Sequence, residues 1–267
     1  MANEICCRAL KGSVQSESIT NKEYFLRIIE KKLFSSVNKS KCSDNRSPYC
    51  IVVKRIIMGE INWLQFMDNQ TILAYDDTAG QVAALHKMLV PARIYWLIDR
   101  FFIKGEPCAD VGCGIGRDSA WLSEHGYRVI GIDASEGMLQ QASQLYPNNV
   151  FVQDSLPLLE KQSDSSYMNV LCSAVIMHLV DDQIAIAITN LMRITALGGV
   201  IIISFRGTSS KDLRENGKLY SVIDSGWLIA LFVQSGAELL HHEVDFQEGR
   251  GVEWTNIVFR KLPALVV

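Results

Sequence analysis

The 267-residue sequence predicts an α/β fold, a doubly wound and mostly parallel sheet, and three observations carry that prediction. From about residue 107 onward, strand-like and helix-like stretches alternate, as parallel strands joined by crossover helices require. A glycine-rich turn, Gly112-Cys113-Gly114-Ile115-Gly116, separates the first strand of that series from its first helix. The chain then finishes on two strand patterns joined by Gln247-Glu248-Gly249-Arg250-Gly251, too short a link for a crossover, so that pair runs antiparallel.

Residues 1–60 read least clearly. Asn21 to Phe34 has helical spacing in Phe25, Ile28, Ile29 and Leu33, with Thr20 or Asn21 as its cap. Ser35 to Pro48 is rich in Ser, Asn and Lys and reads as a linker, and Ile51 to Ile57 fits a strand or an apolar helix face. Residues 1–70 are therefore taken as a partly helical extension: a lid, an oligomerisation arm or a dispensable segment. Residues 71–267 form the main domain. Within it, Tyr75-Asp76-Asp77-Thr78-Ala79 leads into a helical run from about Gly80 to Phe102, interrupted near Pro91.

The alternating series follows. A strand opened by Pro107 carries Cys108 to Val111, a helix runs from about Asp118 to Glu124, and a strand from Tyr127 ends in Asp133. Ser135 caps a helix to about Leu145, and Pro147-Asn148-Asn149 turns the chain into strand Val150 to Gln153. A polar connection from Pro157 to Tyr167 precedes strand Met168 to Cys172. Asp181 or Asp182 then opens a helix with Ile184, Ile188, Leu191 and Ile194 on one face, ended by Gly198-Gly199. Val200 to Phe205 is apolar on both faces, as a central parallel strand should be. After a polar insert from Thr208 to Lys218, Asp224 caps a helix to about Ser235. Strands Glu238 to Phe246 and Val252 to Lys261 complete the series.

The chemistry gathers at the ends of these strands, where an open α/β sheet binds ligands. Glycine lets the loop turn sharply and approach a ligand, and the following helix offers unpaired N–H groups and a positive dipole end. Asp133, roughly 20 residues past the first glycine, stands where a strand-end acid grips ribose hydroxyls. The spacing G-x-G-x-G differs from the G-x-G-x-x-G of dinucleotide sites, and Asp110 just before it would repel a pyrophosphate but suit an ammonium group. An NAD-dependent dehydrogenase is thereby disfavoured.

This combination resembles motif I of class I S-adenosylmethionine (SAM)-dependent methyltransferases, and among them the small-molecule enzymes of the quinone-biosynthesis type. Over about residues 72–262 the resemblance implies a seven-stranded sheet of order 3-2-1-4-5-7-6. It implies SAM as cofactor, S-adenosylhomocysteine (SAH) as product, and transfer of a methyl group to O or N of a small-molecule acceptor. Asp110 would help hold the methionine end, Gly112, Cys113, Gly114 and Gly116 would pass beneath it, and Asp133 with Ala134 would meet the ribose. Asp154 and Ser155 would approach the adenine, Ser173 would line the cofactor site after strand four, and Tyr75 would close over it. Val82 stands where the family usually has a second aromatic. His178, in a His-Leu pair after strand four, is the candidate general base or acceptor-orienting group, against a plain packing role. Arg206 and Arg214 offer planar forks; facing the pocket they would select an acidic acceptor, and facing solvent they would say nothing.

Composition sets the remaining expectations. Residues 1–60 carry 11 basic and 6 acidic residues, a balance of +5 against −8 in the remainder and −3 in total. Nucleic acid is therefore not the expected partner. Seven scattered cysteines, among them the pair Cys42 and Cys50, lack C-x-x-C spacing and point to free thiols in the cytoplasm. The first residues, with Glu4, Arg8 and Lys11, lack an apolar signal core, and no stretch suits a membrane span. His241 and His242 have no acidic or thiol constellation in view, so no metal is expected. A monomer or homodimer that methylates a small molecule is the leading reading. The alternatives are an RNA or protein methyltransferase and a non-catalytic SAM-binding protein.

Overall fold

The computed structural model describes residues 68–208, 213–247 and 252–263. The expectations for the helix at 21–34, the linker, the run at 51–57 and the Cys42/Cys50 pair lie outside the described residues. Three helices come first: α1 (Asn69–Asp77), α2 (Ala79–His86) and α3 (Ala92–Phe101). The alternating series then runs β1 (Pro107–Val111), α4 (Arg117–Glu124), β2 (Arg128–Asp133), α5 (Glu136–Leu145), β3 (Val150–Gln153) and β4 (Tyr167–Ser173). It continues through a 3-10 turn (Ile176–His178), α6 (Asp181–Ile194), β5 (Thr195–Arg206) and a ribbon of β6 (Leu213–Glu215) and β7 (Lys218–Tyr220). Helix α7 (Ser225–Gln234), β8 (Ala237–Gln247) and β9 (Val252–Lys261) complete it.

The main sheet has the order β3-β2-β1-β4-β5-β9-β8. Its first five strands are parallel, and β9 is antiparallel to both β5 and β8. With the ribbon set aside, this is the anticipated order. Strand β5 shows why the sheet is wound on both faces. Ile201, Ile203 and Phe205 pack with α6 and α7 on one side, while Val200 and Ile202 pack with α3 and α4 on the other. Each such fully buried side chain contributes roughly 1.5–3 kcal/mol. Phe232 of α7 stacks on Phe259 of β9, ring centroids 4.2 Å apart, and ties the last helix to the antiparallel edge. Half-buried Arg193 of α6 pins the polar connection before β4 by donating to the carbonyls of Leu159 and Gln162 at 2.8 and 2.6 Å.

Several boundaries differ from the sequence expectation, each for a local reason. Tyr75 does not precede a helix but lies inside α1, and the run expected from Gly80 to Phe102 is two helices, broken from Lys87 to Pro91. Helix α6 does not run on to Gly198-Gly199. It opens at Asp181, as expected, and stops at Ile194 because the extended Thr195 passes directly into β5. The insert before α7 contains a hairpin. Glu215-Asn216-Gly217-Lys218 turns with φ of 50° at Asn216 and 81° at Gly217, the mirror-image turn that an Asn-Gly pair favours. That dipeptide was the signal missed.

Candidate active site

Strands β2 and β4 both pair with β1, so the loops after β1 and β4 leave the sheet where its strand order reverses. A cavity of about 190 Å³ opens there. Its wall consists of the glycine loop, the ends of β2, β3 and β4, and one face of α1. Gly112, Gly114 and Gly116 all adopt positive φ, between 55° and 75°, which explains the glycines without appeal to a ligand. A Cβ on Gly112 would lie 2.1 Å from Val175 Cγ2, so the loop also needs glycine there to close against the segment after β4.

Asp133 is the best-defined group of the wall. Its two carboxylate oxygens accept from the backbone N–H of Gly114 at 2.7 Å and of Ser135 at 2.9 Å. Burial raises its pKa while these bonds oppose the shift. A carboxylate has about four lone-pair sites, so two remain for a pair of hydroxyl donors. Asp154 also lines the cavity, but its oxygens are engaged by its own loop: Ser155 N at 2.8 Å, Lys161 N at 2.9 Å and Gln162 Nε2 at 3.0 Å. Asp110 lies behind the loop and off the cavity wall, accepting from Ser119 Oγ at 2.6 Å. Burial, and then the charge of Asp118, push it up to about 7. Among the described residues, neither Asp133 nor Asp154 forms an ion pair. Two carboxylates without a cation suit a positively charged ligand.

The opposite wall is α1, held at both ends. Asp76 accepts from Ser135 Oγ at 2.6 Å and from Gly137 N at 2.9 Å. Asp68 caps the other end and takes the Arg214 fork at 2.7 and 2.9 Å. Between them, Thr71 Oγ1 accepts from Leu219 N at 2.8 Å, which docks the β6–β7 ribbon on the helix. His178 is buried beneath this junction. Its Nδ1 lies 2.5 Å from the Leu219 carbonyl, which can only accept, so Nδ1 carries the proton and Nε2 holds the lone pair. The Tyr75 hydroxyl donates to that Nε2 at 3.2 Å. Burial lowers the His178 pKa to about 4 and raises that of Tyr75, so both are neutral near pH 7.

Of the residues expected at the cofactor site, Tyr75, Gly112, Cys113, Gly114, Asp133, Ala134, Asp154, Ser155 and Ser173 line the cavity, as does His178; Asp110 and Gly116 do not. Gly116 instead packs on Phe151, whose ring would lie 2.5 Å from an added Cβ. The two arginines need correction. Arg206 gives its fork to Glu215 at 2.6 and 2.8 Å, Arg214 gives its own to Asp68, and neither lines the cavity. On β8, Glu243 accepts from His241 Nε2 at 2.9 Å, two residues along the same strand face. Sequence reasoning missed His86 and the N-terminal half of α1, both on the cavity wall. No motif marks them; they arrive by packing.

This sheet order, this loop and this strand-end acid are similar to those of class I SAM-dependent methyltransferase domains. Residues 108–199 match the family described as a methyltransferase domain. A ubiquinone biosynthesis O-methyltransferase of Coxiella burnetii is 27% identical over 130 residues, 45% of this chain and 55% of that one. A malonyl-[acyl-carrier protein] O-methyltransferase of Serratia marcescens is 31% identical over 123 residues, 45% of each chain. The chain thus spans about half the length of the curated relatives it matches. A solved SAM-dependent methyltransferase of Methanosarcina mazei superposes with a TM-score of 0.55 at 17% identity, covering 65% of this chain and 98% of its own. That likeness concerns the fold. No helix among the described residues is long and apolar enough to cross a membrane.

Proposed function

We propose that this protein binds SAM in the cavity and transfers its methyl group, in line, to an O or N atom of a small acidic molecule. One observation carries the reading: the Asp133 carboxylate, clamped by Gly114 and Ser135 at the end of β2, faces the cavity with lone pairs left for a ribose diol. The uncompensated charge of Asp133 and Asp154 supports a cationic cofactor. The O-methyltransferases among the curated relatives favour oxygen as the methylated atom.

When bound, SAM supplies a methyl group already activated by its sulfonium. The chain's task is then to position the acceptor and exclude water. Tyr75 and His178 supply the positioning. Because His178 Nε2 takes the Tyr75 proton, the Tyr75 oxygen is left to accept from an acceptor hydroxyl or amine. With its pKa near 4, His178 stores a proton poorly at neutral pH. His178 therefore does not serve as the general base, and a carboxylate acceptor, already ionised at that pH, needs none. The segment 1–70 stands in this proposal as an extension to the methyltransferase domain, with the cytoplasm as its site of action.

Isothermal calorimetry with SAH, and with NAD as control, tests the reading. Micromolar SAH binding is expected, weakened at least about tenfold in Asp133→Ala through loss of charge-assisted hydrogen bonds. A folded protein that ignores SAH, or that prefers NAD, overturns it.

A further inference from the structure

Of four cations near the cleft, three are paired with carboxylates. Arg117 is held by both oxygens of Asp118 at 2.8 and 2.9 Å, Arg206 by Glu215, and Arg214 by Asp68. Lys218 is different. It follows the Asn216-Gly217 turn at the start of β7, is half-buried, and among the described residues its ammonium meets no carboxylate or carbonyl. It lies instead over the ring of Tyr75, 3.8 Å from the centroid. A ring face attracts a cation but accepts none of its three N–H bonds in the usual way.

The position of this cation also matters. Tyr75 and His178 both line the cavity, and Leu219, next to Lys218, holds His178 by its carbonyl. His86 is a further part of the cavity wall; burial first, then the charges of Arg117 and Lys218, depress its pKa. Lys218 itself is not part of that wall; its ammonium stands on the Tyr75 ring, beside two residues of the wall, where the ribbon docks on α1. Burial lowers its own pKa, a cost that an arriving anion would offset.

We propose that Lys218, rather than Arg206 or Arg214, anchors the acceptor through an anionic group, a carboxylate or a phosphate, beside Tyr75. This deepens the methyltransferase reading and rests on it for the word acceptor; the anion site itself stands on the geometry of Lys218. Gly217, with φ of 81° and Ala74 only 3.0 Å from where a Cβ would stand, holds the turn that places the lysine. The sequence alone would not rank this lysine above its neighbours.

The test titrates benzoate, inorganic phosphate and neutral benzamide into the full chain, with and without saturating SAH. It compares the wild type with Lys218→Gln and Lys218→Arg, each checked for a cooperative thermal transition. Benzoate or phosphate should bind the wild type at millimolar concentration and weaken about tenfold or more in Lys218→Gln, as expected for a lost charge-assisted contact. Lys218→Arg should retain binding, and benzamide should not respond to either change. Whichever of the two anions binds names the acid class. Equal binding by wild type and Lys218→Gln, or no binding of either anion to the wild type, overturns the proposal. SAH affinity is read separately: Lys218-dependent anion binding without SAH binding keeps the anion site and removes the methyltransferase reading.

Discussion

His178 is the residue at which sequence and geometry diverge most usefully. Its place in the chain suggested a base at the end of β4, and it does line the cavity. Yet its two nitrogens are already committed, one to the Leu219 carbonyl and one to the Tyr75 hydroxyl. Burial holds it near pKa 4, so it should remain the neutral Nδ1–H tautomer throughout the range from about pH 5 upward. Nitrogen-15 NMR of the imidazole would show one protonated and one bare nitrogen; an imidazolium signature at pH 6 would contradict the tautomer. Tyr75→Phe should leave that tautomer in place while shifting the Nε2 resonance, because it removes the hydrogen bond and keeps the ring.

At the scale of elements, α1 and the β6–β7 ribbon form the wall that faces the glycine loop. Asp76 ties α1 to the start of α5, where Ser135 also caps the helix by accepting from Met138 N at 3.0 Å. Asp76→Ala removes two acceptors and should cost about 1–2 kcal/mol, in the range of a lost helix cap. Hydrogen exchange should then quicken across residues 69–77, and unchanged protection there would refute the latch. Gly217→Ala forces a side chain into a left-handed turn position and toward Ala74. It should cost roughly 1–2 kcal/mol and loosen the ribbon that carries Lys218 and Leu219. Thermal unfolding of the variant, with anion titration, measures both consequences.

For the whole molecule, two buried groups oppose each other in the response to pH. Asp110 has a folded pKa of about 7, above its unfolded value, so the native state keeps a proton that the unfolded chain releases. Its contribution makes stability fall as pH rises from about 4 to 7. His178, with a folded pKa of about 4 below its unfolded value, contributes stability that is lost as pH falls from about 6.5 to 4. Asp110→Asn removes the first contribution. Its stability relative to the wild type should improve from pH 4.5 to pH 8 by on the order of 1–3 kcal/mol. Urea unfolding at the two pH values checks this; a difference that does not change with pH would mean that Asp110 is ionised in the native state at both.

The sequence by itself determined the sheet and the glycine-loop wall of the cavity. Alternating apolar strands, a three-glycine turn and Asp133 at a strand end are local patterns, and short-range sterics and hydrogen bonding enforce them wherever the chain folds. Strands β3 and β9 fall on the expected residues, and nine of the eleven expected cofactor residues reach the cavity. The opposite wall was decided by tertiary structure. Which guanidinium is neutralised depends on acids far away in sequence, as when Asp68 meets Arg214, or on a turn that brings Glu215 back to Arg206. Lys218 has its place over Tyr75 because a hairpin docks on a helix more than a hundred residues earlier. Charge pairing and burial are properties of neighbours in space, and no periodicity along the chain records them.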